Sequence, residues 1–149
     1  MRSADVDARR CAASLIRLSS GKILLIDDEF SHRFLISRLL EKAGFAVVAC
    51  DGGEEGLAYL AAHRAEITAV LTDIKMPGLT GFGVIEQIRR RTDGAALPVI
   101  VISSSELPED KARASALGAD DYLVKFPAPE AIAMSLRAAC AARAGRVAT

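Results

Sequence analysis

Acidic side chains, a hydroxyl and an amine stand in this sequence where all could serve one reaction. Asp27, Asp28 and Glu29 follow directly on the apolar run Lys22–Ile26, while Asp73, Ser103 and Lys125 each end or follow a later apolar run. Carboxylates gathered in a small volume repel one another unless a cation is present. Oxygen ligands with room for water suit Mg2+, which prefers octahedral coordination and keeps much of its hydration shell. With such an ion held by Asp28 and Asp73, and by Asp27 through a water, the cluster makes a site for a phosphoryl group. Asp73 is then the nucleophile, Lys125 a compact positive charge for one phosphoryl oxygen, and Ser103 a hydrogen-bond donor to another. Phosphoryl transfer asks little more of a protein than in-line positioning and neutralisation of charge on the equatorial oxygens.

For these residues to meet, the chain must bring several strand ends to one edge. Short apolar runs alternate with longer segments of helical period from Lys22 onward, the pattern of β-α units around a parallel sheet. The runs predict buried strands at Lys22–Ile26, Ala46–Ala49, Ala69–Thr72, Pro98–Ile102 and Tyr122–Val124. A first helix is expected from the stripe Phe30, Phe34, Leu39, Leu40 and Ala43, with Gly44 as its left-handed cap. Glu54–His63, Phe82–Arg91, Pro108–Leu117 and Pro129–Arg143 supply four more, the fourth opening on proline and closing at Gly118. The expected fold class is therefore α/β, a doubly wound sheet of five parallel strands in the flavodoxin-like order, with its functional edge at the carboxyl ends of the strands.

At this point the sequence resembles a known family. The paired Asp27-Asp28, the segment Leu71-Thr72-Asp73-Ile74-Lys75-Met76-Pro77-Gly78-Leu79-Thr80-Gly81, the strand-end Ser103 and the stretch Gly118-Ala119-Asp120-Asp121-Tyr122-Leu123-Val124-Lys125 are similar to response-regulator receiver domains of two-component signalling, of the stand-alone chemotaxis-receiver kind. The resemblance runs from about Lys22 to Arg143. It implies phosphorylation of Asp73 and Mg2+ bound by Asp28, Asp73 and the main-chain carbonyl of Lys75. It also implies a switch in which Ser103 moves toward the phosphoryl group while Tyr122 turns inward behind it. The output surface is then the face of the fourth helix, fifth strand and fifth helix, where a downstream protein target would bind.

One departure bears on the site. The family usually follows its lysine with proline across a cis bond, whereas here the order is Lys125-Phe126-Pro127. Cis before a non-proline residue costs about 2.5 to 4 kcal/mol, so a trans Lys125-Phe126 bond is expected. Lys75 and Ser105 flank the site and are expected to set the lifetime of the acyl phosphate.

Blander roles compete for several of these residues. Asp27 and Asp28 could be a turn and cap pair, Ser103 a helix cap, and Tyr122 strand packing. Asp120 and Asp121 read as turn residues, the run Arg89-Arg90-Arg91 as a solvated helix end, and His32 and His63 as surface residues without metal spacing. With no histidine placed to act as donor, the phosphoryl group is expected from a separate histidine kinase or histidine phosphotransfer protein.

Composition limits the alternatives. The 149 residues fit one domain, and Lys plus Arg balance Asp plus Glu at 19 each, so no overall field recruits nucleic acid or a membrane surface. No run approaches the roughly 20 apolar residues of a membrane span. Cys11, Cys50 and Cys140 form no pair with metal or redox spacing and read as reduced thiols of a cytoplasmic protein. Residues 1–20 are an extension in which Leu15, Ile16 and Leu18 either form a helix or lie in a disordered lead; 21–143 are the receiver domain and 144–149 a tail. Two copies could pair through the last helices. The tail leaves no room for an output domain, which favours a signalling module over an enzyme. Three other readings stand beside it: a degenerate receiver that binds partners unphosphorylated, an aspartate-nucleophile phosphatase, and a flavin binder. The phosphatase would want an acid where Lys75 stands, and Asp27, Asp28 and Glu29 would repel the flavin phosphate.

Overall fold

The structure, a computed structural model, describes residues 21–147, with side chains as far as residue 144. Five strands alternate with five helices: β1 (Lys22–Ile26), α1 (Phe30–Lys42), β2 (Ala46–Cys50), α2 (Gly53–His63), β3 (Ile67–Thr72), α3 (Gly81–Arg90), β4 (Val99–Ser103), α4 (Pro108–Leu117), β5 (Asp121–Val124) and α5 (Pro129–Val147). All pairings are parallel, in the order β2-β1-β3-β4-β5. The expected flavodoxin-like order is the one observed.

The period-two alternation of the strands divides the core into two layers. Leu24, Ile26, Val70, Val99 and Val101 point to one face, where Leu60 of α2, Phe82, Ile85 and Ile88 of α3 and Ala114 of α4 cover them. Ile23, Leu25, Ala69, Leu71, Ile100 and Ile102 point to the other, against Ile36 and Leu40 of α1 and Ile132, Leu136 and Cys140 of α5. Each such fully buried aliphatic side chain stabilises the fold by about 1.5 to 3 kcal/mol. With both faces covered, the carboxyl edge is left as the open rim of the sheet.

The helices differ from expectation in three places. Phe30 and Phe34 are 73% and 57% exposed, while Leu40 of the expected stripe is buried together with Ile36, which was not in it. The two phenyl rings lie beside each other, 6.4 Å apart, with Arg33 and Arg38 over their faces. Arg89 is not a solvated helix end. Its guanidinium bonds the carbonyls of Gly118, Gly94 and Leu97 and the carboxylate of Asp120. α5 continues past the expected end at Arg143 to Val147.

Gly118 closes α4 at φ 109°, a left-handed conformation that a side chain would strain, and Gly44 follows α1 at φ 95°. Cys50 is a buried free thiol and Cys140 is also buried; Cys11 lies outside the described residues. Burial, helped by Glu55 and Asp51, pushes the Cys50 thiol up to about 11. No helix among the described residues is long and apolar enough to cross a membrane.

Candidate functional site

β1 and β3 are neighbours, so their ends deliver Asp27 and Asp73 side by side. The Asp73 amide donates to the carbonyl of Ile26 at 2.9 Å, and the Asp27 amide to that of Cys50 at 3.2 Å. Asp27 does not cap α1. Its Oδ1 accepts from the Glu29 amide at 3.0 Å and its carbonyl from Arg33 at 2.8 Å, which turns the chain while leaving Oδ2 aimed at the rim. Asp73 Oδ1 accepts from the Ile74 amide at 2.7 Å, which fixes the rotamer of the carboxylate. Behind it, the Gly81 amide bonds the carbonyl of Ile74 at 2.9 Å. A Cβ at Gly81 would collide with the Asp73 carbonyl oxygen and lie 2.8 Å from Ile74 Cα, so only glycine admits this return of the loop.

Carboxylate oxygens of Asp27, Asp28 and Asp73 lie within 4.8 Å of one another. Asp27 Oδ2 is buried without any hydrogen-bond donor aligned on it. It forms an ion pair with the Lys125 ammonium at 2.8 Å. A hard oxygen cluster with an unsatisfied buried acceptor fits Mg2+, and these three carboxylates are the residues that would hold it.

Lys125 reaches the cluster from the end of β5. Its side chain is 2% exposed, and Nζ stands 2.7 Å from Asp73 Oδ2 and 2.8 Å from His32 Nδ1. Burial alone would lower its pKa, but the contacts with Asp27 and Asp73 outweigh burial and hold it above the ordinary lysine value. The Lys125-Phe126 bond is cis, contrary to the trans bond expected. The expectation weighed the intrinsic preference of an isolated peptide bond. It left out the contacts of the folded chain, where Lys125 meets two carboxylates and the Phe126 ring meets the edge of His32 at 5.2 Å between centroids.

Ser103 is buried at the end of β4, and the Lys125 amide donates to its carbonyl at 2.9 Å. Its hydroxyl accepts from the Ser105 amide at 3.2 Å, a local turn and not the cap of α4, where Leu107 stands. Tyr122 packs partly against the core, and its hydroxyl donates to the carbonyl of Ser105 at 2.8 Å. The Ser105 hydroxyl is itself engaged, donating to Asp110 at 2.6 Å. Lys75 is exposed on the loop after β3.

Two residues of the site carried no usable signal in the sequence. His32, read as a surface residue, is half-buried against the lysine, and Arg33 clamps the β1–α1 turn. Asp120 is likewise more than a turn residue. It receives Arg89, Arg143 and the Val99 amide, at the opposite end of the sheet from Asp73.

The geometry, five parallel strands with acids and a lysine on one rim, has counterparts among known proteins. A family model described as the response regulator receiver domain matches residues 23–137. The chain belongs to this family. It is 32% identical to Protein PilH of Pseudomonas aeruginosa over 121 residues, 81% of this chain and 98% of that protein. It is 36% identical over 117 residues to the probable transcriptional regulator ycf27 of Guillardia theta, covering 78% of this chain but 44% of that protein. The chain thus spans about half the length of that relative. A receiver domain protein of Clostridium thermocellum shares the fold with a TM-score of 0.74 at 30% identity, over 80% of this chain and 94% of that one. The chemotaxis protein CheY4 of Vibrio cholerae does so at 0.72 and 30% identity, over 80% and 98%. Receiver domains are signalling domains that bind Mg2+ at an acidic pocket, and Asp27, Asp28 and Asp73 form such a cluster here.

Proposed function

We propose that this receiver domain takes a phosphoryl group on Asp73 from the phosphohistidine of a separate histidine kinase or phosphotransfer protein. The observation that carries the reading is the position of the Lys125 ammonium, 2.7 Å from Asp73 Oδ2 inside a cluster of three carboxylates. Asp73 Oδ2 attacks phosphorus in line as the bond from phosphorus to the donor imidazole nitrogen breaks. The electron pair leaves with the imidazole, which takes a proton from water, and Asp73 becomes an acyl phosphate. The Ile74 amide holds Oδ1 and so keeps the carboxylate plane fixed during attack. Lys125 pairs with one phosphoryl oxygen and the Ser103 hydroxyl donates to another, which neutralises the charge that develops there. Asp27, Asp28, Asp73 and the carbonyl of Lys75 would hold Mg2+, which would add further charge neutralisation there.

Phosphorylation on this reading exchanges the bond between Ser103 and the Ser105 amide for one to the phosphoryl group. That loosens the loop on which the Tyr122 hydroxyl rests. The affected face is α4, β5 and α5, where the target protein binds in the cytoplasm. The catalysis is confined to the domain's own phosphorylation and dephosphorylation.

Incubation with acetyl phosphate and Mg2+ followed by intact-mass measurement tests the reading. It requires a single phosphoryl adduct that is absent from Asp73→Ala. A wild-type chain that stays unmodified, while still binding partners, leaves the degenerate receiver as the reading that survives.

A further inference from the structure

An ammonium carries three N–H donors and accepts nothing. At Lys125 three groups surround Nζ: Asp73 Oδ2, hydrogen-bonded at 2.7 Å, Asp27 Oδ2, ion-paired at 2.8 Å, and His32 Nδ1, hydrogen-bonded at 2.8 Å. The first two are carboxylates that the phosphoryl site explains, but the third is an imidazole from α1, 93 residues away in the chain. Because the lysine can only donate, Nδ1 must accept and so carries no hydrogen. The ring is then the neutral tautomer with its hydrogen on Nε2, and that nitrogen lies 3.1 Å from Glu29 Oε2. Glu29 therefore fixes the tautomer that presents a lone pair to Lys125. The Phe126 ring packs T-shaped against the imidazole, with the ring planes at 85°.

We propose that His32 is a positioning residue for Lys125, held by Glu29 and covered by Phe126, and that it keeps the ammonium over Asp73. The proposal rests on the phosphoacceptor reading for its effect on rate. When a phosphoryl group arrives, one N–H must leave Asp73 Oδ2 for a phosphoryl oxygen. The ion pair with Asp27 and the hydrogen bond to His32 persist through that exchange, so Nζ has two fixed points about which to turn. Without His32 one N–H of this side chain, only 2% exposed, loses its partner, and the amine drifts from the in-line site. Phe126, which stands where the family usually has proline, contributes by shielding the Lys125–His32 bond.

Two measurements on the full chain separate the lysine restraint from its effect on phosphorylation. The first is the rate of acylation of Lys125 by an amine-reactive ester, read by peptide mass spectrometry without any phosphodonor. We expect His32→Leu, which keeps the packing and loses the acceptor, to raise that rate several-fold. His32→Asn, whose Oδ1 can accept where Nδ1 did, should stay near wild type. The second is the rate of Asp73 phosphorylation by acetyl phosphate, which needs no docking protein. It should fall about tenfold in His32→Leu, the weight of one charge-assisted hydrogen bond, and recover in His32→Asn. The Phe126→Ala and His32→Leu effects should be less than additive, because both act on one bond. Unchanged acylation of Lys125 in His32→Leu, or equal effects of Leu and Asn, overturns the proposal. A wild-type chain that takes no phosphoryl group while its Lys125 shows this acylation pattern removes the phosphoacceptor reading and upholds the restraint.

Discussion

Replacing Lys125 by methionine removes one charge from the site and keeps most of the side-chain volume. The ammonium is shared by Asp27 and Asp73, whose side chains are 1% and 10% exposed. Removing one partner of a buried ion pair costs about 3 to 5 kcal/mol, because the remaining charge stays desolvated and unpaired. A second route gives a similar size. The carboxylate oxygens lie within 4.8 Å of one another, and two unit charges at that separation repel by about 3.5 kcal/mol at an effective dielectric constant of about 20. A loss of about 3 to 5 kcal/mol corresponds to roughly 6 to 20 °C in a domain of this size. The chain has no tryptophan, so urea denaturation followed by far-ultraviolet circular dichroism is the suitable assay. With chelator present the variant should show the full loss. Mg2+ should then stabilise it more than wild type, since the cluster without its ammonium draws a cation harder. The sign with pH follows from the raised lysine value. The stabilisation is present in full below the ordinary lysine value of 10.5 and is lost as pH rises through the higher folded value. The gap between wild type and variant should therefore hold through neutral pH and narrow only in strong alkali. A loss below about 0.5 kcal/mol in chelator, the size expected of an ordinary surface change, or equal stabilisation of both proteins by Mg2+, would refute the pairing.

Gly81→Ala should destabilise the fold by about 1 to 3 kcal/mol, as overpacking does. It should also slow acetyl phosphate labelling, because relief of the clash must move the backbone of Asp73 or Ile74. Asp120→Ala should cost about 3 kcal/mol in the same denaturation assay, the low end for a broken buried pair. Arg89 and Arg143 retain carbonyl acceptors at Gly118, Gly94, Leu97 and Ala95. Its initial rate of phosphorylation should stay near wild type, since Asp120 lies at the far end of the sheet.

The strand ends were legible because each apolar run is too short to be anything but a buried strand and stops at a chemically distinct residue. Asp27, Asp73, Ser103 and Lys125 were found that way, and the structure gathers them on one rim. What resisted reading was long-range. Nothing near His32 announces a lysine 93 residues on, and three consecutive arginines look alike until Asp120 selects Arg89. The stripe through Phe30 and Phe34 failed for a related reason. Helical spacing says which residues share a face, and only the neighbouring elements decide which face is covered. The peptide after Lys125 was misread by applying a local preference where contacts from β1, β3 and α1 also act. Residues 1–20, expected as a helix or a disordered lead, lie outside the described residues.

Asp120 also determines where the domain has freedom to deform. One carboxylate moors α3 through Arg89, α5 through Arg143 and the entrance to β4 through the Val99 amide, all on the side away from the acids. On the proposed phosphoacceptor reading, movement started at Asp73 therefore meets an anchored floor. The rearrangement has to spread sideways along the upper loops, with β4 and β5 behaving as stiff rods clamped at their lower tips. A signal in such a body travels as a tilt of its rim and leaves its base in place.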